Sequence, residues 1–268
     1  MKLCTLGSGS KGNAVLIQAG QTRILVDAGF SPRAMHARLR KIGVDPRSIE
    51  AVAITHEHTD HAKGAAGCAR KWGWKILATA GTESVCASLA GSTVQTIASN
   101  GSFTVGDIEL TTARTSHDAS EPVAIFATDR STGLRAAIVY DLGVMTEAVL
   151  YQMDRVDLLM LESNHDGEML RNGPYPAMLQ RRIAGVDGHL SNRAAARAAC
   201  ECAHRGLGHV VLAHLSEVNN TPEVATLSMR RALARTAFRG VISAAGQDGP
   251  SRTFRISKTR TDQLTLGI

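Results

Sequence analysis

A chain of 268 residues can bury a substantial core, and with only 4% aromatic residues that core must rest on Val, Ile, Leu and Ala. No apolar run approaches the roughly twenty residues of a membrane helix, Met1-Lys2-Leu3-Cys4-Thr5 reads as a strand and not a signal peptide, and the five cysteines are odd in number, so the expectation is a cytoplasmic protein with no membrane role. The formal charge of +6 is modest but leaves a polyanionic partner open.

In chain order, residues 2–6 and 14–18 read as strands joined by the Gly/Ser loop 7–13, and a third strand at 23–26 ends on Asp27. Ser31-Pro32 supplies an N-cap and a proline at the first helical position, and Gly43 stops that helix after about Ile42. Asp45-Pro46 turns the chain into the apolar run Ala51-Val52-Ala53-Ile54, a buried strand. A helix over 62–71, a strand over 75–79, a short helix near 83–89 and strands near 93–97 and 102–105 follow. Strands over 108–113, 123–128 and 134–140 continue the β-rich series.

The second half mixes helices with strands: a helix over 146–153, a buried strand over 156–161, helices over 177–184 and 192–204, and a strand over 209–213. Ser191 caps the 192–204 helix, and Thr221-Pro222-Glu223 opens a long helix ending near Phe238. Weak strands are expected over 252–256 and 263–266. Residues 171–205 carry six arginines against Asp187 and Glu201, a local +4; residues 225–260 carry seven and Lys258 against Asp248, a local +7. This asymmetry fits a polyanion-binding face, with solvated helix faces as the alternative. No repeat, linker or low-complexity segment stands out, and the pattern gives α/β or α+β in one domain spanning 1–268.

The chemistry concentrates in Thr55-His56-Glu57-His58-Thr59-Asp60-His61. His56 and His58 lie two apart after a buried strand, so their imidazoles leave on one side if the extended backbone continues. Asp60 and His61 fall where the pattern turns helical and can face the same space. Four nitrogen and oxygen ligands without cysteine suit a hydrolytic metal site better than a structural zinc site. His117, Asp141 and His214 each follow or end a strand, as a metal site on one edge of a β scaffold requires.

Thr-His-x-His-x-Asp-His followed by Gly64 resembles the signature of the metallo-β-lactamase-fold hydrolases. The opening Leu6-Gly7-Ser8-Gly9-Ser10-Lys11-Gly12-Asn13, then Leu25-Val26-Asp27-Ala28-Gly29, Ser116-His117-Asp118 and Leu161-Glu162-Ser163-Asn164-His165-Asp166, resemble its YycJ/WalJ-type exonuclease-like branch. Gly188-His189-Leu190-Ser191-Asn192 and Ala213-His214-Leu215-Ser216-Glu217 narrow the choice to that branch. The resemblance runs from the N-terminus to about Asn220. It implies an αββα sandwich, with His56, His58 and His117 holding one divalent ion, Asp60, His61 and His214 a second, and Asp141 bridging them. Asp27 is structural on the same grounds.

Two divalent cations, zinc or manganese, bring four positive charges against the carboxylates of Asp60 and Asp141, leaving room for a phosphodiester. The resemblance implies a metal-dependent nuclease, a 5′→3′ exonuclease on DNA more than on RNA, using water activated by two metals. The alternatives are a small-molecule metallo-hydrolase of esters, thioesters or lactams, and a non-enzymatic nucleic-acid-binding module. Asp60 and His189 are the catalytic candidates, His189 as proton donor beside the start of the 192–204 helix. Ser8, Ser10, Lys11 and Asn13 in the glycine-rich loop, with His165, Asp166, Ser191 and Asn192, are the candidate substrate contacts. A tight glycine-rich turn is the alternative for that loop. Glu162 reads as a support for ligands more than as a ligand.

Overall fold

The computed structural model describes residues 1–257. Its first half lays down β1 (Lys2–Gly7), β2 (Ala14–Ala19) and β3 (Thr22–Val26) as an antiparallel meander. The strands β4 (Ala51–Ala53), β5 (Lys75–Thr79) and β6 (Val94–Ile97) then add in parallel. Parallel neighbours need crossovers. These are supplied by α1 (Pro32–Lys41), α2 (Thr59–Ala62), α3 (Ala65–Trp72) and α4 (Ala80–Val85).

The second half repeats the plan. The strands β7 (Ser102–Val105), β8 (Ile108–Arg114), β9 (Val123–Asp129) and β10 (Arg135–Val139) meander. They are followed in parallel by β11 (Leu158–Glu162), β12 (His209–Ala213) and β13 (Val241–Ala244). Between and after these strands come α5 (Glu147–Met153), α6 (Gly167–Asn172), α7 (Ala177–Ile183), α8 (Asn192–Glu201) and α9 (Pro222–Leu233). Last, β14 (Phe254–Arg255) returns to pair with Lys2 and Leu3 of β1. Each sheet thus has seven strands among the described residues.

Strand alternation divides the side chains between an inner and an outer face. Ile17, Ile24, Val26 and Leu77 of the first sheet share one buried cluster with Ile108, Leu110, Ile125, Ile138 and Met160 of the second. On the outside, Leu25, Val52 and Ile76 pack with Met35 and Leu39 of α1 and Cys68 of α3. Val139, Leu159 and Leu212 pack with Val149 of α5, Ala195 and Ala199 of α8 and Met229 of α9. Two mixed sheets with helices on both outer faces make the αββα sandwich that the resemblance implies.

Several elements differ from their sequence reading. The helix expected over 62–71 begins earlier and breaks in two, and at the break Gly64 lies against the Ala28 and Phe30 carbonyls, where a Cβ would clash. The helices expected to reach 204 and 238 stop at Glu201 and Leu233. The short α6 and the half-exposed edge strand β13 carry little periodic signal and were not expected. The weak strand over 252–256 shrinks to the two residues of β14, and the one expected over 263–266 lies outside the described residues.

Candidate metal centre and its cleft

Strand ends from both sheets converge on one edge of the sandwich. From the first sheet β3 delivers Asp27, and β4 delivers the segment from Thr55 to His61. From the second, β8 leads to His117, β10 to Asp141, β12 to His214, and β11 ends on Glu162. Asp27, Asp141 and His214 adopt left-handed backbone angles (φ 62°, 56° and 51°). That conformation costs a non-glycine residue on the order of 1 kcal/mol, and such strain tends to persist at functional sites. Here it turns each chain sharply off its strand and leaves the polar side chain at the sheet edge.

Among the described residues, four groups of donor atoms come within 4.8 Å of one another: His56, His58 and His117; Asp60, His61 and His214; His56, His61 and Asp141; and Asp141, Glu162, His189 and His214. The hydrogen bonds decide which ring atoms are free. His61 Nδ1 lies 2.7 Å from Asp27 Oδ2, and His117 Nδ1 lies 3.2 Å from the Gly188 carbonyl. His214 Nδ1 lies 3.1 Å from Glu162 Oε1 and 2.9 Å from Asp141 Oδ1. His56 Nδ1 faces the Thr55 hydroxyl at 3.0 Å. In each case Nδ1 is held by an oxygen and Nε2 is left for the interior, the arrangement that fixes a metal-binding tautomer. His56 Nε2 and His214 Nε2 are buried without hydrogen-bond partners among the described residues, and Asp141 Oδ2 lies 2.9 Å from His61 Nε2, an atom that has no proton to give when Nδ1–H faces Asp27. Buried polar atoms left unpaired are costly, and cations would satisfy all three, so the donor set fits divalent metal ions.

Charges in the cluster are strongly biased. Burial pushes the His56 and His117 imidazoles down, toward the neutral form that ligates. Burial would raise Asp141, but His214 and His61 hold it well below the usual carboxylate range. Asp60 is likewise kept ionised, with burial outweighed by His214 and His61. Burial would lower His189, yet the carboxylates of Glu162 and Asp141 push it up to about 9.

A supporting shell holds these groups. Asp27 is fully buried and accepts from the Thr55 N–H at 2.8 Å and the Tyr140 hydroxyl at 2.7 Å, besides facing His61. Glu162 is equally buried; Oε1 faces His189 at 2.8 Å and His214, while Oε2 accepts from the Leu142 and Leu190 amides at 3.1 Å each. With both oxygens taken, Glu162 stands as a support for the two imidazoles. Gly29 lets the β3 loop approach, since a Cβ there would strike the Asp60 carbonyl.

Before the metal donors lies a cleft of about 420 Å³, lined by Ser10, His58, Asp118, Leu179, Arg182 and His189 among others. Arg182, carried on α7, donates from Nε to Asp118 Oδ2 at 3.0 Å. The residues expected to touch substrate divide sharply. Ser10 lines the cleft, but Lys11 is exposed and paired with Glu217 at 2.7 Å. Ser8 is buried, its hydroxyl accepting from the His214 N–H at 2.9 Å. Asn13 is buried and commits its amide to Gly9, Asp60 and His61. Asn192 is buried against Ser163 and Asn220. Asp166 caps α6 and Ser191 caps α8, and with His165 they line a neighbouring hollow that also includes His189. Thr55, Tyr140 and Asp118 have no role of their own in the sequence reading, and Arg182 enters it only as one arginine of the 171–205 cluster. Tyr140 beside Asp141 and Asp118 beside His117 carried a positional hint; Arg182, one arginine of a cluster, carried none.

Residues 22–215 match the model of the Beta-lactamase superfamily domain. The chain belongs to this superfamily, in the branch of the YycJ/WalJ exonucleases. It is 34% identical over 237 residues to a Bacillus anthracis protein named exodeoxyribonuclease YycJ, covering 87% of this chain and 89% of that one. It is 33% identical over 242 residues to exodeoxyribonuclease WalJ of Streptococcus pneumoniae, covering 87% and 88%. Among solved structures, the metallo-β-lactamase-fold protein YhfI of Bacillus subtilis superposes with a TM-score of 0.70 at 17% identity, over 95% of this chain and all of that one, a likeness of fold. The fold implies divalent metal ions, and the His/Asp clusters stand where ions would be held.

Proposed function

We propose that this chain is a metal-dependent phosphodiesterase, specifically a 5′→3′ exonuclease that degrades DNA in the cytoplasm. The observation that carries the reading is the cleft itself: metal donors with unpaired buried atoms open onto a space lined by the His189 imidazole and the Arg182 guanidinium. The exodeoxyribonuclease names of the relatives support DNA as substrate. The core shared by both sheets supports a single domain over the described residues 1–257. Among the described residues no helix is long and apolar enough to cross a membrane.

His56, His58 and His117 would hold one ion and Asp60, His61 and His214 another, with Asp141 between them, as zinc or manganese. When bound, such ions lower the pKa of water and offset charge on a phosphodiester. The chain's own groups do the rest. Asp60, ionised and partly open to the cleft, accepts a hydrogen bond from the attacking water and orients it. His189, its Nδ1 held by Glu162, donates a proton from Nε2 to the departing oxygen. Arg182 exchanges Asp118 for a substrate phosphate, and the arginines of α8 and α9 hold the strand beyond the cleft.

The test is to offer purified, metal-loaded protein 5′-labelled DNA, RNA of the same sequence, bis(p-nitrophenyl) phosphate, and a generic ester and lactam. Release of labelled mononucleotide from DNA ahead of internal products is expected. Turnover of the ester or lactam without nucleotide release would replace the reading with a small-molecule hydrolase, and faster loss of RNA would move the substrate class.

A further inference from the structure

Beside the cleft is a second hollow of about 760 Å³, between the start of α6, the start of α8 and the body of α9. His189 lines both spaces, so this one side chain stands between the hollow and the metal centre's cleft. Its wall includes His165, Glu168, Arg171, Ser191 and Arg193, with Ser228 of α9 at the rim. The reaction proposed above gives no role to His165, Glu168, Arg171 or Ser191, and uses Arg193 only as one of the α8 arginines beyond the cleft.

Several features of the wall suit a ligand. His165 is only 3% exposed, and its Nδ1 is buried without a hydrogen-bond partner. A buried polar atom in that state costs on the order of 1–3 kcal/mol, and the imidazole that carries it forms part of the hollow's wall. The ten-residue α8 points its N-terminus here. In its first turn Asn192 N–H donates to the His165 carbonyl, and Ala194 N–H and Ala195 N–H are taken by Ser191. The Arg193 N–H is left without a partner among the described residues. Helix starts favour anions through such free N–H groups.

Arg171 and Arg193 are exposed, and neither pairs with a carboxylate among the described residues. The hollow is not uniformly basic. Asp166 is committed through Oδ1 to the Glu168 and Met169 amides at the α6 cap, while the Glu168 carboxylate offers an acceptor. Cationic and amide donors at one end, with an acceptor at the other, match a phosphate joined to a group that carries its own N–H donors. A volume of this order suits a small organic ligand more than a bare ion.

We propose that this hollow is a nucleotide subsite: it takes the nucleoside monophosphate unit adjacent to the scissile phosphate. That unit's phosphate lies against His165, Arg193 and the start of α8, with Arg171 and Glu168 facing its base. The proposal rests on the nuclease reading. It adds that strand substrates are gripped through one further nucleotide on the His189 side, an interaction that a small phosphodiester cannot make.

The experiment measures equilibrium binding of thymidine 5′-monophosphate, thymidine and inorganic phosphate to the metal-loaded protein and to Arg193→Ala. In parallel it compares kcat/KM on a DNA oligonucleotide with that on bis(p-nitrophenyl) phosphate. Arg193 is exposed, so its variant folds; His165→Gln, checked for equal thermal unfolding, is the second variant. Each should weaken thymidine 5′-monophosphate about tenfold, the order set by one charge-assisted or buried hydrogen bond. The ratio of oligonucleotide to small-diester activity should fall by the same order. Failure of the nucleotide to bind wild type, or equal binding to wild type and both variants, overturns the subsite. If wild type leaves DNA intact, the nuclease reading fails, while the binding measurements still decide the hollow.

Discussion

Replacing Glu162 by Gln preserves volume and removes one charge and one acceptor, at a position with no exposure to solvent. The carboxylate faces two imidazoles on Oε1, at 2.8 and 3.1 Å, and accepts two backbone amides on Oε2, at 3.1 Å each. A glutamine has one accepting oxygen. Whichever way its amide turns, the NH2 group points either at Leu142 and Leu190 N–H or at the His189 and His214 Nδ1–H, donor against donor. Losing the two hydrogen bonds to imidazole, each worth about 1.5–3 kcal/mol when charged, sets an upper bound near 3–6 kcal/mol. Relief of burying a carboxylate offsets part of that, so a loss of about 3 kcal/mol is expected in thermal or denaturant unfolding. Because His214 would keep only Asp141 Oδ1 to hold its Nδ1–H tautomer, metal affinity should fall by up to the order of 10–100-fold that follows when groups orienting a ligand are changed. Competition with a fluorescent chelator measures this directly. A folded Glu162→Gln protein with wild-type metal affinity and unfolding midpoint would refute the orienting role and make Glu162 a bystander.

Asp141→Ala should leave at most one metal per chain, because Asp141 stands 2.9 Å from both His61 Nε2 and His214 Nδ1; full double occupancy in a folded variant, by elemental analysis, would reject the bridging position. His189→Ala should lower kcat on DNA on the order of 10²–10⁴-fold with metal content intact. A p-nitrophenyl diester, whose leaving group needs no proton, should lose much less, and equal losses on both would point to phosphate positioning instead. Changing the exposed Arg230, Arg231 and Arg235 to Glu should raise KM for DNA and flatten its salt dependence, by about 0.7 log units per log unit of salt for each phosphate of a single strand that is no longer neutralised. A KM insensitive both to salt and to this change would leave those arginines with solvation alone.

Asp141 and His214 were legible because each ends a long apolar run and His56 follows one closely, while the full ligand set came from the family resemblance. A polar residue at the end of a buried strand is placed at a sheet edge by the strand itself, and His56, His117, Asp141 and His214 all occur that way. Glu162 was legible for the same reason, as the last residue of Leu-Leu-Met-Leu-Glu in β11. The glycine-rich loop was misjudged because polarity in sequence says nothing about which neighbours arrive later. Ser8 and Asn13 read as candidate substrate contacts on a glycine-rich loop, with a tight turn as the alternative. In the fold, His214 and Asp60 come against that loop from positions far along the chain and occupy them. Arg182 was hidden for a related reason: α7 has no buried residue, so no periodic pattern announces which of its faces turns toward the cleft.

The division of the site between the halves explains why so much of it had to be polar and strained. Each half builds a meander followed by parallel strands, and each buries its apolar faces independently of any ligand. His56, His58, Asp60 and His61 come from the first sheet; His117, Asp141 and His214 come from the second. The donor groups therefore exist only where the two sheets meet, and like charges and unpaired atoms accumulate at that seam. Hydrophobic contact across the inner faces brings the edges together, but it offers nothing to His56 Nε2, His214 Nε2 or Asp141 Oδ2. The left-handed turns at Asp27, Asp141 and His214 add further cost at the same place. Sandwich packing must outweigh these penalties before any ion arrives, and ions bound across the seam would then offset them by joining the halves. A sequence that was merely folding would be under no pressure to concentrate five histidines and two aspartates there, which is the physical reason the seam reads as a reaction site.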